Sequence, residues 1–201
     1  MALSRSQAMI KRGFDILGAS LGLVFAWWLV VFAWLAATID TRQNGFFTQS
    51  RIGRNGRLFR VIKIRTMRNV PGVDTTVTAR GDPRITHLGR LLRKAKIDEL
   101  PQLINVLRGD MSFVGPRPDV PGFADRLTGE DRIILSIRPG ITGPATLKYR
   151  DEEAILAEHT DPDAYNRDVI FPDKVRLNRE YIENWSLSGD IRYIWQTIAG
   201  R

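Results

Sequence analysis

An uncharged stretch of 24 residues near the N-terminus, Ile16 to Ile39, restricts the fold of this chain more than any other feature. As an α-helix rising ~1.5 Å per residue, it is long enough to cross the hydrocarbon core of a bilayer. Its large aromatic side chains point all round a helix, which is typical of lipid-facing segments and not of a buried soluble helix. A cleaved signal peptide has a shorter apolar region of roughly 7 to 15 residues. The sequence therefore predicts a membrane-inserted helix in residues 1–41 and a separate domain in residues 42–201.

Basic residues flank this stretch on both sides. Arg5, Lys11 and Arg12 precede it, and eight Lys and Arg residues follow between Arg42 and Arg68. The positive-inside rule draws both flanks to the cytoplasmic side of a membrane. A helix that enters the bilayer and returns on the same face satisfies both flanks, so we expect a re-entrant helix. A single crossing with the weaker flank outside is the alternative.

The charge distribution excludes several other classes of protein. Residues 1–72 contain 11 Lys and Arg against Asp15 and Asp40, whereas the remainder has 19 basic and 20 acidic residues. A nucleic-acid binder would not require the basic excess to lie at one end, so no nucleic-acid partner is expected. The chain has no cysteine and only two histidines, which excludes a disulfide scaffold, a cysteine nucleophile and a multi-histidine metal centre.

The periodicity of residues 42–201 predicts an α/β fold of the α+β kind, mostly helical with a small antiparallel sheet. Apolar and basic residues alternate from Phe59 to Arg65, which is typical of a strand with one basic face. Asn69 to Arg84 is rich in turn-forming residues and predicts a loop. Helical spacing predicts further helices, some of them amphipathic and lying at the membrane interface, at residues 88–95, 100–107, 123–137, 174–185 and 188–199.

Adjacent carboxylates at Asp98 and Glu99 are the first candidates for chemistry. Pro101 is tolerated in the first turn of a helix, so the pair marks a helix start. Free amides, the helix dipole and the basic residues Arg93, Lys94 and Lys96 would keep the pair ionised and would attract a phosphate. The alternative is an ordinary helix cap followed by a first-turn acid.

Three further basic side chains are candidates for holding a phosphate. Arg117 lies between two prolines, which restrict the backbone and suit a bidentate grip on a phosphate. Lys63 and Arg65 share the basic face of the predicted strand. The alternatives are a structural loop with an exposed arginine and a solvated strand face. Asp161 and Asp163 form the Asp-x-Asp pattern of some metal-dependent glycosyltransferases, but chance explains it in a stretch rich in aspartate.

Together these segments resemble the monotopic phosphoglycosyl transferases, a family of bacterial sugar transferases. The resemblance covers nearly the whole chain. From its short length, we expect the chain to correspond to a minimal catalytic form of the family, without the extra N-terminal membrane domain of larger relatives. The matching blocks are KRGFD at 11–15, FTQSRIG at 47–53, KIRTM at 63–67, DPRITHLGRLLRKAKIDELPQLINVLRGDMSFVGPRP at 82–118, RPGITG at 138–143 and YIENWSLSGDI at 181–191. One block departs from the family: Trp27 and Trp28 stand where its membrane helix usually has a Ser-Pro pair.

The resemblance implies transfer of a sugar 1-phosphate from a UDP-sugar to polyprenyl (undecaprenyl) phosphate, with release of UMP. This reaction would initiate glycoconjugate assembly at the cytoplasmic face of the bacterial inner membrane, in contact with membrane lipids. A homodimer would be compatible with it. The resemblance leaves the sugar, the polyprenol and the pathway open.

The family resemblance also implies roles for individual residues. Asp98 corresponds to the nucleophile of a ping-pong reaction through a phosphosugar-aspartyl intermediate, and it would also hold Mg²⁺. Glu99 would orient groups or accept the acceptor's proton. Arg93 and Arg117 would hold the phosphates, with Lys63 and Arg65 assisting. The alternatives are a membrane-tethered glycosyltransferase that uses Asp161 and Asp163 and releases UDP, or a non-catalytic protein that binds membrane surfaces.

Overall fold

The fold of the chain is mostly helical with a small antiparallel sheet, as the sequence predicted. A computed structural model describes residues 2–70 and 82–200. The strands are β1 (Phe46–Ile52), β2 (Leu58–Ile64), β3 (Ser112–Val114) and β4 (Gly140–Thr142). The helices are α1 (Arg5–Thr41), α2 (His87–Lys94), α3 (Gln102–Arg108), α4 (Pro144–Lys148), α5 (Glu152–Ala157), α6 (Pro162–Tyr165), α7 (Phe171–Glu183) and α8 (Leu187–Ile198).

The structure adds one feature that the sequence did not predict and corrects another. Besides the predicted antiparallel pair, here β1–β2, strands β3 and β4 form a parallel pair that periodicity did not reveal. Residues 123–137 form two short 3₁₀ segments instead of one helix. Gly129 has a left-handed φ of 59° at the start of the second segment, a conformation that does not continue an α-helix. Most of the loop predicted at residues 69–84 lies outside the described residues.

Helix α1 is a single uninterrupted helix of 37 residues. It begins with a capping box, in which Ser4 accepts from the backbone of Gln7 and the Gln7 side chain accepts from Ser4. It ends at Arg42, whose left-handed φ of 55° turns the chain away. The structure therefore shows no break in α1, and the return of this segment to the same membrane face stays a prediction. Trp27 and Trp28 keep the backbone donors that a proline would remove, so the hydrogen-bond ladder continues through them.

One narrow stripe of α1 packs along the rest of the chain. Its buried residues fall in two groups with helical spacing, which are Lys11, Asp15 and Ala19, and then Val30, Ala33, Ala37 and Thr41. Glycines permit close approach, because a Cβ on Gly18 would lie 2.8 Å from Phe113 and one on Gly22 would lie 3.0 Å from Leu103. The opposite face exposes large apolar side chains such as Trp27, which is 61% exposed. Length and composition would allow α1 to cross a membrane, and its exposed face is suited to lipid.

Buried polar contacts hold the N-terminal part of α1 to the domain. Lys11 Nζ lies 2.6 Å from Asp190 Oδ2 and donates to Tyr181 Oη at 3.1 Å. Tyr181 and Trp185 also donate to Asp190, at 2.6 and 3.2 Å. Burial, followed by the Asp190 charge, raises the pKa of Tyr181 well above its usual value, so the phenol remains a donor. The carboxylate of Asp190 is therefore fully partnered in the interior.

The next residues of α1 fix α3 and β3. Arg12 donates to the carbonyls of Val106 and Leu107 at 2.6 and 2.8 Å, at the C-terminal end of α3 where cations are favoured. Asp15 accepts from the Ser112 hydroxyl at 3.0 Å and from the Phe113 amide at 3.1 Å. The KRGFD block thus attaches α1 to the rest of the domain, and each of its charged residues has a different partner.

Replacing Lys11 by Met should lower the free energy of unfolding by about 3–5 kcal/mol, because the buried Asp190 carboxylate then lacks its cation. The matched control is Glu180→Gln, which breaks the Arg176–Glu180 pair, exposed on both sides. That change should cost about 0–1 kcal/mol. Denaturant unfolding of both variants in the same detergent measures the difference. Equal losses would show that the buried pair does not anchor α1.

Both ends of α1 contact the same domain, so we expect both at the same membrane surface. The chain has no cysteine, which allows single labels at Ser6→Cys and Gln43→Cys. In sealed inverted membrane vesicles, an impermeant maleimide should label both positions equally, and in right-side-out vesicles it should label neither. Labelling of the two positions from opposite sides would mean that α1 spans the bilayer.

Candidate functional site

Asp98 and Glu99 lie in the single 3₁₀ turn Ile97–Glu99, between α2 and α3. Lys96, which precedes this turn, has a left-handed φ of 56° that is uncommon for a residue with a side chain. Helix α3 starts only at Gln102, after Pro101. The carboxylates therefore lie in a 3₁₀ turn that leads directly into α3, because Leu100 and Pro101 already have helical backbone angles.

Asp98 is a buried carboxylate with an unused oxygen. Its side chain is inaccessible for the most part, and Oδ1 finds no hydrogen-bond partner among residues 2–70 and 82–200. Burial, followed by the neighbouring Glu99 charge, raises the pKa of Asp98, and the charges of Lys63, Arg93 and Lys96 act in the opposite direction. Burial therefore opposes the effect of the nearby cations on Asp98, which the sequence alone did not reveal.

Glu99 has the opposite environment. Its Oε1 accepts from Lys63 Nζ at 2.8 Å and lies 3.5 Å from Arg117 Nη2. Burial alone would raise the pKa of Glu99, but the charges of Arg117 and Lys63 outweigh burial and lower the pKa to about 2. Burial likewise lowers the pKa of Lys63, and Glu99 counteracts this effect. Glu99 is thus ionised, as predicted, and its ion pairs with Lys63 and Arg117 account for the lowered pKa.

The two remaining predicted arginines have different neighbours. Arg93 donates to the Thr66 hydroxyl at 3.0 Å, and its charge acts on Asp98. Arg65 donates to the Asn44 carbonyl at 2.7 Å and lies over the ring of Phe47 at 5.6 Å. Both arginines line the same cleft as the carboxylates. The structure therefore brings Lys63, Arg93 and Arg117 to the Asp98–Glu99 pair and ties Arg65 to the start of β1.

Asn105 positions these groups, and sequence reasoning missed it. Its Oδ1 accepts from the Ile62 amide at 3.0 Å, and its Nδ2 donates to the Arg60 carbonyl at 2.8 Å. Because β2 pairs only with β1, Asn105 satisfies the other edge of β2 from within α3. This link fixes Lys63 on β2 relative to the turn that carries Glu99. A single asparagine within an apolar helix gave no sequence signal for the role.

The carboxylates face a cleft of roughly 1640 Å³. At its other end lie Arg51, Asp119, Glu152 and Lys174, which sequence reasoning did not select. Burial raises the pKa of Asp119 to about 6, although the charges of Lys174, Arg51 and Arg117 oppose the shift. Asp119 comes two residues after Arg117, so only its closeness to that arginine could have drawn attention to it.

The Asp-x-Asp pattern lies elsewhere. Asp161 and Asp163 are exposed, and neither contributes to the lining of the cleft. Asp161 accepts from the Ala164 amide at 2.9 Å, so it caps the short helix α6. This position gives no support to a glycosyltransferase that depends on these two aspartates.

The donor set around Asp98 suits a magnesium ion that a phosphate substrate would share. Within the described ranges, no three His, Cys, Asp or Glu side chains cluster as a ready metal cage. Mg²⁺ is commonly held by one or two carboxylates together with substrate phosphates. The unpartnered Oδ1 of Asp98 is one such carboxylate oxygen, whereas Glu99 is occupied by Lys63 and Arg117.

Comparison with known proteins gives consistent matches over the whole chain. The family model of the bacterial sugar transferases matches residues 6–200. A UDP-glucose:undecaprenyl-phosphate glucose-1-phosphate transferase of Caulobacter vibrioides is 35% identical over 192 residues, covering 94% of this chain and 68% of that protein. The exopolysaccharide production protein ExoY of Rhizobium meliloti is 33% identical over 208 residues, covering 94% of this chain and 84% of that protein. An undecaprenyl-phosphate galactose phosphotransferase of Salmonella typhimurium is 33% identical over 209 residues, and the match covers 96% of this chain but only 40% of that longer protein.

Proposed function

Because the chain belongs to the bacterial sugar transferase family, we propose that it transfers a sugar 1-phosphate from a UDP-sugar to polyprenyl phosphate and releases UMP. Relatives with 33–35% identity are named for transfers of this kind to undecaprenyl phosphate. One observation supports Asp98 as the reacting residue. Among the described residues, its buried carboxylate oxygen Oδ1 has no hydrogen-bond partner, and Asp98 lines a cleft that also contains several cations.

The proposed reaction proceeds in two displacements at one phosphorus. In the first, a carboxylate oxygen of Asp98 attacks the β-phosphorus of the UDP-sugar. The bond from this phosphorus to the bridging oxygen breaks, and UMP leaves with the electron pair. In the second, a phosphate oxygen of polyprenyl phosphate attacks the same phosphorus and displaces the Asp98 carboxylate. The nucleophile is thereby regenerated, and the product is a lipid-linked diphosphate sugar.

The cations around the pair would stabilise the charge that moves to UMP. Lys63, Arg93 and Lys96 act electrostatically on Asp98, and Arg117 acts on Glu99. Such fixed charges lower the activation barrier most where the site excludes water. Asp98 is buried, so its surroundings meet this condition. Glu99, whose ion pairs keep its pKa near 2, is poorly suited to accept a proton. We assign it the positioning of Lys63 and Arg117.

A magnesium ion fits this scheme at Asp98, together with the diphosphate of the donor. When bound, the ion supplies charge neutralisation on the phosphate oxygens. Asp98 has two carboxylate oxygens, so one could hold the ion while the other attacks. Lys63 and Arg117 would remain bound to Glu99 when the ion is present. Their positive charges would therefore stay beside the reacting phosphate.

The membrane helix gives the reaction its location. Polyprenyl phosphate stays in the bilayer, so its phosphate reaches only a site near the surface. The exposed apolar face of α1 would hold the domain there, on the cytoplasmic side of the bacterial inner membrane, where UDP-sugars are made. A non-catalytic membrane-binding protein would account for the basic flanks of α1, but not for a buried carboxylate at a cationic cleft.

The first test is the identity of the nucleotide released. Detergent-solubilised protein with Mg²⁺, undecaprenyl phosphate and a panel of UDP-sugars should release UMP for at least one sugar. Asp98→Asn should reduce the rate by at least about 10³-fold, since it removes the nucleophile. Without acceptor, mass spectrometry should detect a sugar phosphate on Asp98 in the wild-type protein. Release of UDP, or undiminished activity of Asp98→Asn, would contradict the proposal.

The raised pKa of Asp98 predicts how activity depends on pH. The reaction needs the carboxylate, so kcat/KM should fall as pH drops through a pKa above the ordinary aspartate value of 3.8. Lys96 lowers the pKa of Asp98, so Lys96→Asn should move this acid limb to higher pH while the asparagine tolerates the left-handed backbone. The control Arg176→Met removes a charge on the outer face of α7 and should leave the limb in place. A limb that is the same in all three proteins would contradict the assignment of Asp98.

A further inference from the structure

The two ends of the cleft differ in charge. Around Asp98 and Glu99, the interacting cations outnumber the carboxylates, with Lys63, Arg93, Lys96 and Arg117 against two acids. Around Asp119, the excess of cations is smaller, because Arg51, Lys174 and the shared Arg117 act against Asp119 and Glu152. Both oxygens of Glu152 accept from Lys174 at 2.7 Å, so this pair is satisfied internally. The larger excess of cations at the first end suits phosphates, whereas the second end is closer to charge balance and suits a ligand portion without net charge.

Two buried polar groups at the second end have no partner. Asn178 is only 5% exposed, yet no described residue hydrogen-bonds its Oδ1. The buried hydroxyl of Thr146 likewise has no partner in the described part of the chain. Asn178 is on α7 and Thr146 is on α4, and these helices pack against each other. Because a buried polar group without a hydrogen bond costs free energy, such groups in a cleft mark positions that a ligand satisfies.

The surroundings of these two groups favour a flat base over a sugar. Ala145 and Val175 are buried apolar residues that line the cleft beside them. A pyranose carries hydroxyls on most of its carbons, and apolar walls would leave several of them unpaired. Uracil presents one N–H donor, at N3, between two carbonyl acceptors, and its faces are apolar. The Asn178 carbonyl matches the donor, and the Thr146 hydroxyl can donate to a carbonyl.

We propose that Asn178 and Thr146 form a subsite for the uracil base of the nucleotide sugar. The inference rests on the proposed function, because it places the UMP half of the donor beyond Arg117, which interacts electrostatically with both Glu99 and Asp119. The diphosphate then lies at the more cationic end, and the base lies at the end that is closer to charge balance. This subsite recognises the base through hydrogen bonds with two uncharged side chains, Asn178 and Thr146, and requires no charged side chain.

Binding of UMP, the released product, tests this subsite without turnover. Equilibrium dialysis with labelled UMP should show that Asn178→Leu and Thr146→Val each weaken binding about three- to tenfold, the range expected for one neutral hydrogen bond. Ribose 5-phosphate lacks the base, so its affinity should be the same in wild type and both variants. The control Asn184→Ala alters the asparagine that caps the C-terminus of α7 and does not line the cleft, and this variant should bind UMP like the wild type.

Stability separates this role from a structural one. Replacing an unpartnered buried polar group by an apolar one of similar shape should leave Tm unchanged or raise it, so the variants should lose UMP affinity without losing stability. Unchanged UMP affinity in both variants, or an equal loss for ribose 5-phosphate, would overturn the subsite while UMP release could still proceed through Asp98. Failure of the wild-type protein to bind UMP would overturn the proposed function as well.

Discussion

A buried ion pair between residues near the start and the end of the sequence determines where the apolar helix α1 lies. Lys11 and Asp190 are 179 positions apart, and Tyr181 and Trp185 complete the hydrogen bonds of the carboxylate. Charges buried in this way are tolerated only when they are paired and fully hydrogen-bonded, so the geometry admits little variation. Arg12 and Asp15 then attach the next turn to α3 and β3. The helix therefore packs lengthwise against the domain and turns its apolar face outward.

The candidate site is built on the same helix. Ala19 of α1 belongs to the apolar cluster that contains Leu103 and Val106 of α3 and Val61 of β2. Asn105 connects α3 to β2 through both of its amide atoms. Lys63 on β2 and the turn before α3 are thus held by elements that rest on α1. This arrangement gives a physical reason why a site for a lipid-linked substrate would be rigid relative to the membrane.

Adjacent carboxylates acquire opposite properties from the direction in which their side chains point. Glu99 reaches two cations and has a pKa near 2, whereas Asp98 is buried without a partner for Oδ1 and has a raised pKa. Environments that separate the pKa values of neighbouring acids are typical of sites where the two have different roles. Here the separation favours Asp98 as the reacting group and Glu99 as the residue that positions the cations.

The amino-acid sequence by itself determined the apolar helix, the mostly helical fold, the presence of a small antiparallel sheet and the identity of the charged residues near Asp98, because periodicity, turn chemistry and local spacing act over a few residues. The tertiary structure decided what depends on distant partners. Only packing shows that α1 continues through Trp27 and Trp28 along the domain and that Arg65 hydrogen-bonds near the start of β1. Only packing shows, too, that Asn105 links α3 to β2 and that Asn178 and Asp119 line the cleft. Burial and long-range pairing set the pKa values of Asp98 and Glu99, and neither can be read from neighbours in the chain.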